Sequence, residues 1–543
     1  MLNGEILKKA VISGANNISV QKNQINDLNI FPVPDGDTGT NMSMTIMAAA
    51  KALEELDSNS AGEVAQKVAS AMLRGARGNS GVITSLIFRG FAQGLKGMDE
   101  VNGKNLAAAL GIGVDAAYKA VMKPTEGTIL TVARMAYEAG VEAAKTNTDP
   151  VYVWQTVCDK ANDALAITPE LLPVLKKAGV VDAGGKGLCV IFEGMLSVIK
   201  DGVMVEYDDS NEVTVDSFES AAAEFDDDIE FTYCTEFIVG RDSEEKDPQN
   251  LREFLETIGD CVVVVSDEEI IKVHVHTEQP GDALKKGLEF GQLLTVKVEN
   301  MKEQHKNTKK KPKKEVFKPV EPTEDIGFVA VAAGDGLKEL FKDLGCHNVV
   351  SGGQSMNPST DDIYDAIMAT PAKNVIVLPN NKNIILAAEQ TIPMVKDRNV
   401  VIVPTRTIPQ GMTAMLNFDP EISAESNAQL MMDAVHNVGT GLVTFAARNS
   451  EFGGKKIKEG DIIALENGKL TITEKSTVKA VVKLAKNMVS KDTSFITLIY
   501  GEGVTEEDAN KAYEELREKF GSKTDISLVK GDQPVYYFIL SVE

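Results

Sequence analysis

The sequence predicts a multidomain chain with an all-α part, then a small α+β part, then an α/β part. Three observations predict it. Residues 1 to about 200 are rich in Ala, Gly and Met, and their apolar positions recur at helical spacing. Residues 229–301 alternate apolar and polar residues in short β-rich runs, ordered strand–helix–strand–strand–helix–strand. From residue 326, apolar runs such as Gly327–Ala332, Asn374–Leu378 and Val400–Val403 alternate with helical segments. Charged linkers are expected between the parts. Residues 206–228 are acidic, with Asp208-Asp209 and Asp226-Asp227-Asp228, and residues 302–325 carry the basic run Lys309-Lys310-Lys311-Pro312-Lys313-Lys314. The expected domains are 1–205, 229–301 and 326–543.

Gross properties narrow the function. A chain of 543 residues and 58.4 kDa exceeds what one core usually serves. A net charge of −24 argues against nucleic acid as a partner. No apolar run approaches the ~20 residues that span a bilayer, and Met1-Leu2-Asn3-Gly4-Glu5 does not open a secretory signal. The five cysteines (158, 189, 234, 261 and 346) form no disulfide framework. A cytoplasmic protein is expected.

In the helical part, Asn29-Ile30-Phe31-Pro32-Val33-Pro34-Asp35-Gly36-Asp37-Thr38-Gly39-Thr40-Asn41-Met42 carries the most information. Carboxylates at i and i+2 of a tight turn, Asp35 and Asp37, can converge on one hard cation. The helical run Met42–Ala52 follows, and the start of a helix offers unpaired N–H groups and a positive dipole end to phosphate. The plain alternative is an Asp-Gly-Asp turn with a Thr cap. Three further turns also precede helices: Arg74–Gly81 with Asn79 and Ser80, Pro124–Thr128 with Gly127, and Val181–Gly187 with Asp182 and Gly184. Each alone reads as a cap. Four such turns on one helical part can converge at one end of a bundle as a nucleotide–magnesium site.

These motifs carry a family resemblance. Pro34–Met42, Gly78-Asn79-Ser80-Gly81 and Val181-Asp182-Ala183-Gly184-Gly185 resemble the DhaL-type (DAK2) nucleotide-binding domain of dihydroxyacetone kinases. Asn29–Pro34 and the three-part layout resemble the A subunit of bacterial fatty-acid kinase. The resemblance implies a barrel of about eight helices closing on ATP, with Mg²⁺ held by Asp35 and Asp37. It places Thr38, Gly39, Thr40, Asn41, Asn79 and Ser80 around the phosphates, and the loop through Asp182 and Gly184 along the nucleotide. Gly127 belongs to the same set of turns. Asn29 stands where the dihydroxyacetone kinases tend to carry a third acidic ligand. The resemblance further implies a DegV-like fold for the last part, which docks a separate DegV-like protein carrying the fatty acid. The product is acyl phosphate for phospholipid synthesis.

All five histidines (274, 276, 305, 347 and 436) lie beyond residue 200, so the helical part has no imidazole base. A fatty-acid carboxylate is already ionised and needs none. Catalysis then reduces to alignment and charge neutralisation, with Arg77 or Lys186 as candidate cations. The alternatives are a phosphotransferase of the dihydroxyacetone-kinase kind and a non-enzymatic nucleotide-sensing scaffold.

The middle part fits the ferredoxin-like βαββαβ plan, in which the first and third strands are central neighbours. Alternation then gathers Cys234, His274 and His276 on the face away from the helices, a donor set that suits Zn²⁺ with Glu236, water or another chain as fourth ligand. The other reading is a polar strand-on-strand contact in a homodimer. In the last part, Gly352-Gly353-Gln354-Ser355-Met356-Asn357-Pro358-Ser359-Thr360 is a strand end and turn that can bind phosphate, though a helix cap at Ser359 or Thr360 explains most of it without a ligand.

Overall fold

The computed structural model describes residues 1–29, 36–121, 124–207, 231–241, 246–266, 270–300, 317–353, 356–446, 450–452 and 455–543. Asp35, most of the acidic linker and the Lys309–Lys314 run lie outside the described residues. The chain forms two compact units, one of residues 1–207 with 316–543 and one of residues 208–315.

The first unit begins with β1 (Leu2–Asn3), which pairs antiparallel with β2 (Glu100–Val101). Asn3 caps α1 (Gly4–Asn26), accepting the Ile6 N–H at 3.0 Å. Next come α2 (Thr38–Glu54), α3 (Ala61–Gly75), α4 (Gly78–Leu95), α5 (Gly103–Ala120), α6 (Ile129–Thr146) and α7 (Pro150–Ala166). Short α8 (Thr168–Leu171) and α9 (Pro173–Ala178) lead to α10 (Ala183–Asp201). Each long helix packs on the next, and α10 returns to α1, so eight long helices close a ring. Buried Trp154 sits edge-on to Phe192 at 5.2 Å between ring centroids and donates its indole N–H to the Phe192 carbonyl.

The second unit holds β3 (Tyr233–Arg241), β4 (Gly259–Ser266), β5 (Ile270–Thr277) and β6 (Gly291–Asn300), with helices Gln249–Ile258 and Pro280–Gly287. The four strands are antiparallel in the order β4-β5-β3-β6, so the first and third strands are central, as the βαββαβ element order predicts. Phe237, Val239, Ile271, Val273 and Val275 form its core with Leu251 and Leu255 of the first helix.

The first unit resumes with β7 (Glu324–Ala332), β8 (Asn348–Ser351), β9 (Ala372–Leu378) and β10 (Asn399–Ile402), a parallel sheet of order β10-β9-β7-β8. Beyond it lie β11 (Gly439–Phe445), a small hairpin of β12 (Ser450–Phe452) and β13 (Lys455–Ile457), then β14 (Ile462–Glu466), β15 (Lys469–Glu474), β16 (Phe495–Tyr500), β17 (Asp525–Lys530) and β18 (Phe538–Val542). All but the hairpin make a second sheet, β15-β14-β11-β18-β16-β17. One apolar cluster runs from the helical ring through Ile363, Ala366 and Ala387 into Val329, Val331 and Val377 of the parallel sheet. The helical part and the parallel sheet therefore share a core. No helix among the described residues is long and apolar enough to cross a membrane.

Candidate functional site

Four helix N-termini meet at one end of the ring. The α1–α2 turn is tied by Asn26, whose side chain accepts the Thr40 N–H at 3.1 Å and donates to the Thr40 hydroxyl at 2.9 Å. The Thr38 hydroxyl donates to Asn29 at 2.8 Å, which sets Asn29 beside the start of α2. Gly39 is required by a close approach, because a Cβ there would stand 2.1 Å from the Lys22 carbonyl oxygen. Asp37 immediately precedes α2, and its own carbonyl accepts the Asn41 N–H at 2.8 Å.

The start of α4 lies against the first turn of α2. Gly78 has φ +57°, and a Cβ on it would stand 2.6 Å from the buried Asn41 side-chain nitrogen. The Arg77 N–H donates to the Thr45 hydroxyl at 3.2 Å. Across the ring, Asp182 caps α10 by accepting the Gly185 N–H at 2.7 Å, and it also accepts from the first N–H of α6, that of Ile129. One carboxylate thus joins the starts of α6 and α10. The starts of α2 and α10 also adjoin, because a Cβ on Gly187 would stand 2.6 Å from the Met42 sulfur, so the starts of α2, α4, α6 and α10 lie together. Four aligned dipoles of this kind favour an anion.

Burial pushes the Asp182 carboxyl up to about 6, against the pull of its two backbone partners. Glu126 is held below the usual carboxylate range, first by the Thr131 hydroxyl at 2.7 Å and then by Arg134 at 2.9 Å. Thr131 also accepts the Gly127 N–H at 2.9 Å.

The part that carries the parallel sheet also reaches this end of the ring, a juxtaposition that the sequence did not announce. The segment between β8 and the helix Thr360–Met368 seats on the α3–α4 turn. Arg77 and Ser359 pair as an antiparallel bridge, and the Thr360 N–H donates to the Ala76 carbonyl at 3.1 Å. The Arg77 guanidinium donates to the Asn357 carbonyl at 2.9 Å and lies 3.6 Å from Asp362. Burial pulls the Arg77 pKa down while Asp362 opposes the shift. Asn357, only 2% exposed, donates its side-chain amide to the Asp37 carboxylate at 2.5 Å. Asn79 donates to Asn383 at 3.3 Å. The side-chain oxygens of Asn79 and Asn357 are buried without a hydrogen-bond partner among the described residues. The sequence did flag this segment as a capped turn, and Ser359 does cap its helix, accepting the Asp362 N–H at 3.0 Å. The capping pattern gave no sign that the segment meets Asp37.

The structure therefore brings Asp37, Thr38, Gly39, Thr40, Asn41, Asn79, Asp182 and Gly184 to one end of the ring. Asp35 falls outside the described residues. In the other unit, the β3–β5 register sets Cys234 opposite His276 and Glu236 opposite His274, the positions that alternate with the buried set. Among the described residues no group of three or more His, Cys, Asp or Glu is placed to hold a metal ion, and the side chain at 274 lies outside the description.

At the carboxyl ends of β7 and β9 a crevice lined by Val331, Gly353, Asn380 and Gln533 has a free volume of about 10 Å³. That is room for about one water. Asn380 there spends its side chain on the Val331 carbonyl and the Thr405 hydroxyl.

This chain of a helical ring and two sheet-bearing parts matches domain patterns of kinase-type proteins along its length. The DAK2 domain pattern matches residues 32–197, and the middle and C-terminal patterns of the FakA-like fatty acid kinase proteins match residues 230–308 and 327–543. Protein YloV of Bacillus subtilis (strain 168) is 41% identical over 552 residues, covering 100% of this chain and 99% of its own. An uncharacterized protein of Staphylococcus aureus (strain USA300) is 39% identical over 548 residues, covering 100% of this chain and 99% of its own. Among solved structures, a fatty-acid-binding DegV family protein from Thermus thermophilus aligns over 40% of this chain and 99% of its own, at 15% identity and a TM-score of 0.30. The chain belongs to the FakA-like family of fatty acid kinase proteins.

Proposed function

We propose that the chain is an ATP-dependent kinase subunit that phosphorylates the carboxylate of a fatty acid presented by a separate DegV-like carrier protein. The product is acyl phosphate, feeding phospholipid synthesis. The observation that carries this reading is the meeting of four helix N-termini beside Asp37 at one end of the ring. The DAK2 and FakA-like matches support it.

The donors at this end suit Mg²⁺ with a nucleotide. Asp37, the Thr38 hydroxyl and the two open amide oxygens of Asn79 and Asn357 are all hard oxygen groups. Asp35 and Asp37 would hold the ion, whose charge offsets that of the phosphates. Thr38, Gly39, Asn41, Asn79, Ser80 and Gly184 line the phosphates and the nucleotide. Thr40, Gly127 and Asp182 act by shaping the loops, since Asn26, Thr131 and the α6 and α10 backbones already engage them. The substrate carboxylate attacks phosphorus without a base, and the cationic Arg77 lies beside the same turn.

The last part takes a DegV-like fold and docks the carrier. The strand order of the middle unit supports the ferredoxin-like plan. For the face away from its helices the reading is Zn²⁺ on Cys234, His274 and His276, with a strand-on-strand homodimer contact as the alternative.

The test is ATP consumption by the full chain with fatty acid, with and without a DegV-like carrier. Consumption that requires both supports the reading. Consumption with dihydroxyacetone alone would replace it with the sugar-kinase alternative, and none under any condition would favour the scaffold.

A further inference from the structure

The seam between the helical ring and the parallel sheet does more than hold the two together. Asn357 reaches the Asp37 carboxylate at 2.5 Å from a position 320 residues away. A carboxylate only accepts, so it fixes which way the amide faces: nitrogen toward Asp37, oxygen away. That oxygen is then left buried with no partner among the described residues, on a residue 2% exposed. Leaving a buried acceptor unmet costs stability, and such a group in a well-packed junction marks a place for a donor. The neighbouring Asn79 presents a second buried, open amide oxygen.

The approach is built. Arg77 holds the Asn357 backbone through its carbonyl at 2.9 Å, and Asp362 holds Arg77 at 3.6 Å. The Ser359–Arg77 bridge and the Thr360–Ala76 hydrogen bond fix the register on both sides. Gly78 leaves the space, because a Cβ there would stand 3.2 Å from the Asn357 side-chain nitrogen.

An open amide oxygen repels phosphate oxygens and suits a donor or a cation. Beside an acidic residue at a ring of helix N-termini, the ligand chemistry that offers both is a hydrated divalent cation on a nucleotide. We propose that Asn357, carried by the C-terminal part, is a positioning residue of the nucleotide–metal site, its amide nitrogen fixing the Asp37 carboxylate and its amide oxygen receiving the hydrated cation. This rests on the reading of the site as a nucleotide–magnesium site. The helical ring alone is then an incomplete site, and the C-terminal part completes it.

The experiment titrates Mg²⁺ into the full chain with a fluorescent ADP analogue and reads the Mg²⁺ concentration at half-maximal nucleotide binding. Asn357→Ala should raise that midpoint about tenfold, as loss of one charge-assisted hydrogen bond would. Arg74→Ala, which breaks only an exposed seam pair with Asp361 at 3.4 Å, should keep the wild-type midpoint. Wild-type binding with an unchanged midpoint in Asn357→Ala overturns the inference and leaves the proposed function standing. Failure of the wild-type chain to bind the nucleotide with Mg²⁺ overturns the site reading and the inference together. Should Asn357→Ala not fold, Asn357→Asp decides the matter. A second carboxylate beside Asp37 should make the thermal stabilisation by Mg²⁺ larger than in wild type, and an equal gain overturns the inference.

Discussion

Asn26 and Thr40 hold each other twice: the Asn26 side chain accepts the Thr40 N–H at 3.1 Å and donates to the Thr40 hydroxyl at 2.9 Å. The end of α1 thereby serves as the cap for α2, a duty the sequence pattern assigns to the threonines themselves. With this pair in place, the residues that lead into α2 are anchored from the preceding helix.

Asn26→Ala should therefore lower the stability of the first unit by about 1–2 kcal/mol, the usual loss of a cap and its partner. Thermal melting of the full chain checks the magnitude. Nucleotide affinity should fall with it, and an unchanged affinity would separate the turn from the ligand.

Asp35→Ala and Asp37→Ala should each abolish phosphoryl transfer to a carrier-bound fatty acid. Asp37→Ala also leaves the Asn357 amide without its acceptor, so a stability loss of about 1–2 kcal/mol is expected there. Circular dichroism should show both variants folded. Ordinary turnover in either would remove the central claim.

Asp182 gives a pH prediction. Its folded pKa, raised to about 6, lies above the ordinary value of 3.8. The folded state thus holds its proton more tightly, and stability from this group is present below the unfolded pKa and lost as pH rises through about 6. Asp182→Asn can still accept from Gly185 and Ile129 but does not titrate. Stability of the wild type relative to this variant should fall between about pH 4 and pH 7. A constant difference across that range would rule out the raised pKa.

In the middle unit, elemental analysis should find about one Zn²⁺ per chain or per shared interface. Replacing His274 and His276 together should release it, with loss of stability or association and no change in ATP binding. Metal retained by the double variant would exclude these ligands.

Much of this was legible because the signals are local. Asp182 announced a helix start through its place before Ala183-Gly184-Gly185, and the structure makes it the cap. Period-two alternation around Ile271, Val273 and Val275 marked which positions of β5 are buried, while the register that sets Cys234 opposite His276 is not local to either strand. Asn357 was not legible as a neighbour of Asp37. Its contact depends on two distant segments packing, and a Met-Asn-Pro-Ser-Thr turn looks the same whether or not something docks on it. Gly39 was read as room for phosphate, whereas its nearest demand is the Lys22 carbonyl, a packing requirement set by the crossing of α1 and α2.

The shared core between the helical ring and the parallel sheet has a consequence for synthesis. Its two contributors are separated in the chain by the whole second unit, residues 208–315. On a ribosome, at roughly 5–20 residues per second, the helices emerge many seconds before the strands that join their core are complete. Throughout that interval the nascent chain carries an uncovered apolar flank, which makes early termination within the sheet region a source of sticky fragments, and gives chaperones a defined window in which to hold this chain.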